Sequence, residues 1–274
     1  MTGEQFTPGA TSPPEEQDAM SGSAELHAGR GLKALTIAGS DSSTGAGIQA
    51  DLATFRRLGA KPSCCVTAVT AQDERGVQAV FPVPVEIIEA QIDSAFYGQP
   101  VDCCKIGMVW SADIVEAVAR GLTRHRPPVI VLDPVLSASR GGALAQEGLE
   151  CILAARLFPL CHVITPNISE AETLLGRPIR FLPEAQAAAA ELAQRAGCDV
   201  VLKGGHLPSN PGTDIICHRG EITLLPPDPS FPGHFHGTGC IFSSALAVFL
   251  VRNPDLIASS SVAKSLLSKW KQQE

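Results

Sequence analysis

The chain has 274 residues, 45% of them hydrophobic, with 21 basic and 28 acidic side chains and a formal net charge of −7. That length buries a sizeable core without disulfides or structural metal. Its near-neutral body leaves no basic stripe to track nucleic acid, and no apolar run approaches the ~18 residues of a membrane span.

Residues 1–31 are rich in Pro, Gly, Ser, Thr and Glu and poor in large apolar groups. Such a segment cannot offset its ordering entropy, so it is expected to be a disordered tail, with Met20 as an alternative start. It shows no basic start and no apolar stretch, so no secretory signal is expected and a cytoplasmic location is. Nine cysteines without a C-x-x-C pair agree with a reducing compartment. Adjacent pairs such as Cys64-Cys65 and Cys103-Cys104 sit in apolar runs, where cysteine acts as a small hydrophobe.

From Ala34 the pattern changes. Residues 34–39 read as a strand ending in Gly, and Ile48, Leu52, Phe55 and Leu58 then fall at helical spacing before Gly59. The spacing predicts strands over 64–69, 102–106, 129–132, 162–165 and 199–202. Helices are predicted over 85–96, around Ile114, Val118 and Leu122, and over 185–196. Residues 213–217 and 222–225, separated by Arg219-Gly220, read as a hairpin. A helix pair follows from Gly239 to about Gln272. Continuous apolar strands between amphipathic helices indicate one α/β domain over 32–274, a three-layer α/β/α sandwich around a mostly parallel sheet.

In such sheets ligands bind beyond the carboxyl ends of the strands, which directs attention to four segments. Gly39-Ser-Asp-Ser-Ser-Thr-Gly-Ala-Gly47 runs into a helix holding Gln49 and Asp51. It is either a ligand-approaching loop or a turn capped by Asp41. Gln72 ends the apolar run Thr67-Ala-Val-Thr-Ala and could read a ring bearing an amino group beside a ring nitrogen, or simply bond to loop backbone. Asn167 and Glu170 could order water around Mg²⁺, or cap a helix. Lys203 is placed to meet a nucleotide phosphate, or is a solvated lysine at a strand end. His236-Gly-Thr-Gly-Cys240 opens an apolar helix, and Gly237, Thr238 and Gly239 would form an anion cradle at its positive end. Cys240 sits where the helix dipole is expected to lower its thiol pKa, making it a candidate base, unless it merely packs.

Read together, Ala38-Gly-Ser-Asp41, Gly-Ala-Gly-Ile-Gln-Ala-Asp51, Thr-Ala-Val-Thr-Ala-Gln72, Lys105-Ile-Gly-Met108, Asp133-Pro-Val135, Thr165-Pro-Asn-x-x-Glu170, Lys203-Gly-Gly-His206 and His236-Gly-Thr-Gly-Cys240 resemble the hydroxymethylpyrimidine/phosphomethylpyrimidine kinases of thiamine biosynthesis. The resemblance runs from Leu32 to about Lys269 and implies the ribokinase-like fold. It implies ATP- and Mg²⁺-dependent phosphorylation of 4-amino-5-hydroxymethyl-2-methylpyrimidine, then of the monophosphate, by a homodimer. Carried over by motif, Gln72 holds the pyrimidine edge, with Gly39, Asp51, Met108 and Val135 lining its pocket. Lys203 contacts ATP phosphates, while Asn167 and Glu170 organise Mg²⁺ through water. Gly237, Thr238 and Gly239 form the anion hole, and Cys240 stands where the wider fold often has an aspartate base. Ser42-Ser43-Thr44 departs from the family's usual Pro-Ser-Gly-Gly and is expected to stiffen the first loop. In the departing stretch after Val135, Arg140 is expected to replace a lysine.

Three other readings compete. A pyridoxal-type vitamin B6 kinase shares the Gly-Thr-Gly-Cys loop, but Gln72 and the Gly-Ile-Gln-Ala-Asp run favour pyrimidine. A non-catalytic pyrimidine sensor has no use for Lys203 and a phosphoryl anion hole. A Rossmann oxidoreductase lacks its fingerprint glycines.

Overall fold

The computed structural model describes residues 30–138, 141–229 and 236–271. Residues 1–29 of the expected tail, Met20 among them, and Arg140 lie outside the described residues. So do 230–235 and 272–274.

The elements in chain order are β1 (Lys33–Asp41), α1 (Gly47–Arg57), β2 (Lys61–Asp73), β3 (Gly76–Pro82), α2 (Val85–Phe96), β4 (Cys103–Ile106) and α3 (Ala112–His125). They continue with β5 (Val129–Leu132), α4 (Leu149–Arg156), β6 (Val163–Ile164), α5 (Ile168–Leu175), α6 (Leu182–Ala196) and β7 (Asp199–Leu202). The hairpin β8 (Asp214–His218) and β9 (Glu221–Leu225) precedes α7 (Thr238–Arg252) and α8 (Leu256–Lys271). One sheet has the order β3-β2-β1-β4-β5-β6-β7-β8-β9. Strands β2 to β7 in that order pair in parallel, while β3, β8 and β9 join antiparallel at the two ends.

Side chains alternate across each strand, so consecutive residues serve different layers. Leu35, Ile37, Ile106, Leu132 and Leu202 pack with α2 to α6, whereas Ala34, Val131, Val163 and Val201 pack with α1, α7 and α8. The same alternation explains the adjacent cysteines. Cys104 belongs to the first core and Cys103 to the second, and both are fully buried. Each large aliphatic side chain buried this way contributes about 1.5–3 kcal/mol.

Two elements were not anticipated. Strand β3 starts at Gly76, ends at Pro82 and is largely exposed, so as a sheet edge it carries no apolar alternation. Helix α4 has eight residues and starts from Gly148 in the left-handed region without a side-chain cap, so no sequence signal marks it. Among the described residues no helix is long and apolar enough to cross a membrane.

Candidate active site

The parallel strands end along one edge of the sheet, and the order reverses between β1 and β4. That opens a crevice beyond their carboxyl ends. Strand β1 slips register between Ala38 and Ser40. Gly39 occupies the slip because a Cβ there would lie 2.6 Å from the Met108 sulfur. The first loop is then pinned by Asp41, whose carboxylate accepts from the Ser43 N–H (2.8 Å), the Ser43 hydroxyl (2.8 Å) and the Ala46 N–H (2.9 Å). Burial pushes the Asp41 carboxyl up, but the hydrogen bonds from His236, Ser43 and Ala46 outweigh it and hold it below its ordinary value. The Ser42 hydroxyl bridges to Gln72, donating to its carbonyl at 3.0 Å and accepting from its N–H at 2.8 Å. Ser42 and Ser43 thus tie the loop down. Thr44 adopts φ 66°, a left-handed conformation rare for a β-branched residue.

Gln72 lies half-buried at an irregularity where β2 pairs with β3. Its amide nitrogen is 3.3 Å from Nε2 of His236, and the same Nε2 lies 2.9 Å from Oδ2 of Asp41. Beside it, Met108, Ala68 and Leu144 form a small buried apolar cluster joined by Val135, Val77 and Trp110. The Met108 carbonyl accepts from Thr67 Oγ1 at 2.6 Å. Gln72, Gly39, Met108 and Val135 therefore surround one apolar patch with a polar rim.

The second half is built around the start of α7. Gly237 has φ 86°, and a Cβ there would come within 1.8 Å of the Gly45 carbonyl, so only glycine lets the two loops close. A Cβ on Gly239 would meet Lys203 Nζ at 3.1 Å, which puts that ammonium at the N-terminus of α7. The first-turn amides, the helix dipole and Lys203 concentrate positive charge at this corner, which suits an anion. Asp133 Oδ1 holds Lys203 Nζ at 2.6 Å, and Asp133 also meets the hydroxyls of Thr165 (3.3 Å) and Ser243 (3.4 Å). Burial pulls the Lys203 pKa down, but Asp133 and Glu170 outweigh it and the group stays charged.

Asn167 and Glu170 form a reciprocal capping box on α5. Asn167 Oδ1 accepts from the Glu170 N–H at 2.9 Å, and Glu170 Oε2 accepts from the Asn167 N–H at 2.7 Å. Burial pushes the Glu170 carboxyl up to about 7, with Lys203 opposing and Asp133 adding to the shift. Among the described residues no group of three or more His, Cys, Asp or Glu side chains could hold a metal. The donor set instead suits a hydrated Mg²⁺ that arrives on nucleotide phosphates, since that ion keeps several waters and needs one or two carboxylates.

Two expectations need correction. The Cys240 thiol is not lowered: burial pushes it up to about 11, and Asp51 and Asp133 add to that, against Lys105 and the Gly47 backbone. A helix dipole is a modest effect next to desolvation. Asp51, expected to line the ring pocket, is fully buried. Its carboxylate accepts from both Lys105 Nζ contacts at 2.9 Å, from Thr36 Oγ1 at 2.6 Å and from Ser244 Oγ at 2.8 Å. It therefore braces β1 and β4 against α7 beneath the crevice. Lys105 and His236 were not singled out. The signal for Lys105 was a lone lysine inside the apolar run 101–106; His236 stood unremarked in front of Gly237.

The chain matches the family model of phosphomethylpyrimidine kinase over residues 41–273. It is 43% identical to the hydroxymethylpyrimidine/phosphomethylpyrimidine kinase of Rhizobium meliloti over 85% of this chain and 88% of that protein. It is 40% identical to the thiamine biosynthesis bifunctional protein of Geobacter sulfurreducens, of which it spans 48%. Among solved structures, the phosphomethylpyrimidine kinase of Clostridium difficile superposes with a TM-score of 0.76 at 34% identity, covering 87% of this chain and 99% of that one. The pyridoxal kinase of Bacillus subtilis in its ADP complex gives a TM-score of 0.78 at 32% identity over 86% and 90%.

Proposed function

This chain belongs to the phosphomethylpyrimidine kinase family, and we propose how its crevice carries out that family's reaction. The enzyme is an ATP-dependent hydroxymethylpyrimidine/phosphomethylpyrimidine kinase of thiamine biosynthesis with the ribokinase-like fold. It phosphorylates the pyrimidine hydroxymethyl group, then the resulting monophosphate. The observation that supports our assignment of roles is the adjacency of Gly239 to Lys203 and Asp133, at one corner of the crevice that Gln72 overlooks.

In our reading the pyrimidine lies on Met108 and Val135, with its amino edge toward Gln72 and its hydroxymethyl group toward Cys240. The hydroxyl oxygen attacks the γ-phosphorus of ATP. An O–P bond forms, the bond to the ADP oxygen breaks, and the hydroxyl proton passes to the Cys240 sulfur, which takes it as the thiolate. The N–H groups of Gly237, Thr238 and Gly239 hold the migrating phosphoryl oxygens, and Lys203 neutralises the nucleotide phosphates. Phosphoryl transfer draws mainly on such positioning and charge stabilisation. Asn167 and Glu170 would hold Mg²⁺ through water, and the ion would supply further neutralisation of phosphate charge.

The domain over 32–274 acts as a homodimer in the cytoplasm. Supporting the dimer, Val69 and Phe81 face each other across β2 and β3. They are 49% and 68% exposed, and Ile87 is 50% exposed. A coupled ATPase assay with hydroxymethylpyrimidine, followed by separation of mono- and diphosphate products, tests the function. Faster turnover of pyridoxal than of the pyrimidine would overturn it.

A further inference from the structure

The ring nitrogen Nε2 of His236 lies 2.9 Å from the Asp41 carboxylate and 3.3 Å from the Gln72 amide nitrogen. These contacts make opposite demands. A ring nitrogen is a donor when it carries a proton and an acceptor when it does not, and never both. The carboxylate of Asp41 already accepts from the Ser43 N–H, the Ser43 hydroxyl and the Ala46 N–H, so it stays ionised and can only accept again. The Nε2 proton must therefore point at Asp41. A protonated Nε2 repels an amide NH₂ and attracts an amide oxygen. The two ends of the Gln72 amide have nearly the same shape, so turning it over costs little space.

We propose that His236 is a positioning residue for ring recognition: with its one Nε2–H shared between the Asp41 carboxylate and the Gln72 amide, it holds the amide oxygen on its own side and turns the NH₂ into the pocket. The site is thereby set to receive a ring with a hydrogen-bond acceptor, such as an unprotonated ring nitrogen, on that edge. The His236 ring is fixed for the task. A Cβ on residue 45 would lie 2.3 Å from its Cδ2, so the ring seats against backbone that only Gly45 provides. The same contact joins the loop after β1 to the end of β2, so the brace lies on the ring side of the crevice.

This inference rests on Gln72 being the ring-contacting residue. The test is steady-state kinetics of the full chain with hydroxymethylpyrimidine and ATP. In H236F, which keeps a ring but removes the nitrogen, the KM for pyrimidine rises about tenfold, the size of one lost hydrogen bond. The kcat and the KM for ATP stay within about twofold, because the brace acts on the ring side. H236Q, which reaches Asp41 with an N–H, recovers most of the loss, and H236N, which is too short, does not. That pair carries the comparison if H236F does not fold. The double variant H236F/Q72L matches Q72L alone. An unchanged pyrimidine KM in H236F, or effects of H236F and Q72L that simply add, overturns the proposal while leaving Gln72 in place. A Q72L variant with normal pyrimidine KM overturns the assignment of Gln72 and this inference with it.

Discussion

Lys105 and Asp51 meet at 2.9 Å with neither side chain exposed to solvent, directly beneath the start of α7. Burial pulls the Lys105 pKa down, but Asp51 more than reverses it, so the ammonium persists inside the protein. Removing one partner leaves a buried charge alone. Asp51→Ala should therefore lower unfolding free energy by roughly 3–5 kcal/mol in urea denaturation. Replacing both, as D51A/K105M, should recover most of it. A D51A protein of normal stability that has lost pyrimidine affinity would mean that Asp51 touches the ring after all.

The Cys240 thiol, pushed up to about 11, is ionised in only about one molecule in 10⁴ at pH 7. If its thiolate accepts the hydroxyl proton, the base becomes available as pH rises. The kcat of the first phosphorylation should then climb about tenfold per pH unit from roughly 7 to 10. Cys240→Ala should remove that slope and slow the first step by about 10²–10⁴-fold. The second step should suffer far less, because a phosphate oxygen has no proton to give up. Separate product analysis for each step checks this, and equal losses would assign the thiol to packing.

Gln72→Leu keeps the size of the side chain and deletes its donors and acceptor. The KM for pyrimidine should rise about 10–100-fold, with the KM for ATP unchanged. If both rise together, the residue supports the site as a whole instead of the ring.

Thr44 holds φ 66°, a conformation that costs a residue with a Cβ about 1–2 kcal/mol. Thr44→Gly removes that cost and regains part of it as unfolded-state entropy. Stability should rise by about 1 kcal/mol, or a few degrees of Tm by calorimetry. A lower Tm would show that the threonine side chain holds the loop.

The alternation of apolar strands and amphipathic helices was legible from residue 34 onward because covering both sheet faces leaves continuous hydrophobic runs. Helix α2 and strands β5 and β7 fall where the spacing placed them. The start of α7 just after Gly237 was equally legible, since the glycines of His236-Gly-Thr-Gly-Cys240 mark where the helix opens. Strand β3 was not, because an exposed edge imposes no pattern on its side chains.

What the sequence determined by itself was the layered architecture and the set of chemical groups, for both depend on local periodicity and residue type. Only the tertiary structure decided how those groups share their charges and protons. It placed Asp51 against Lys105 instead of the ring, raised the Cys240 thiol, and put His236 between Asp41 and Gln72. Each outcome depends on burial and on partners distant in the chain, and no local pattern of residues encodes either.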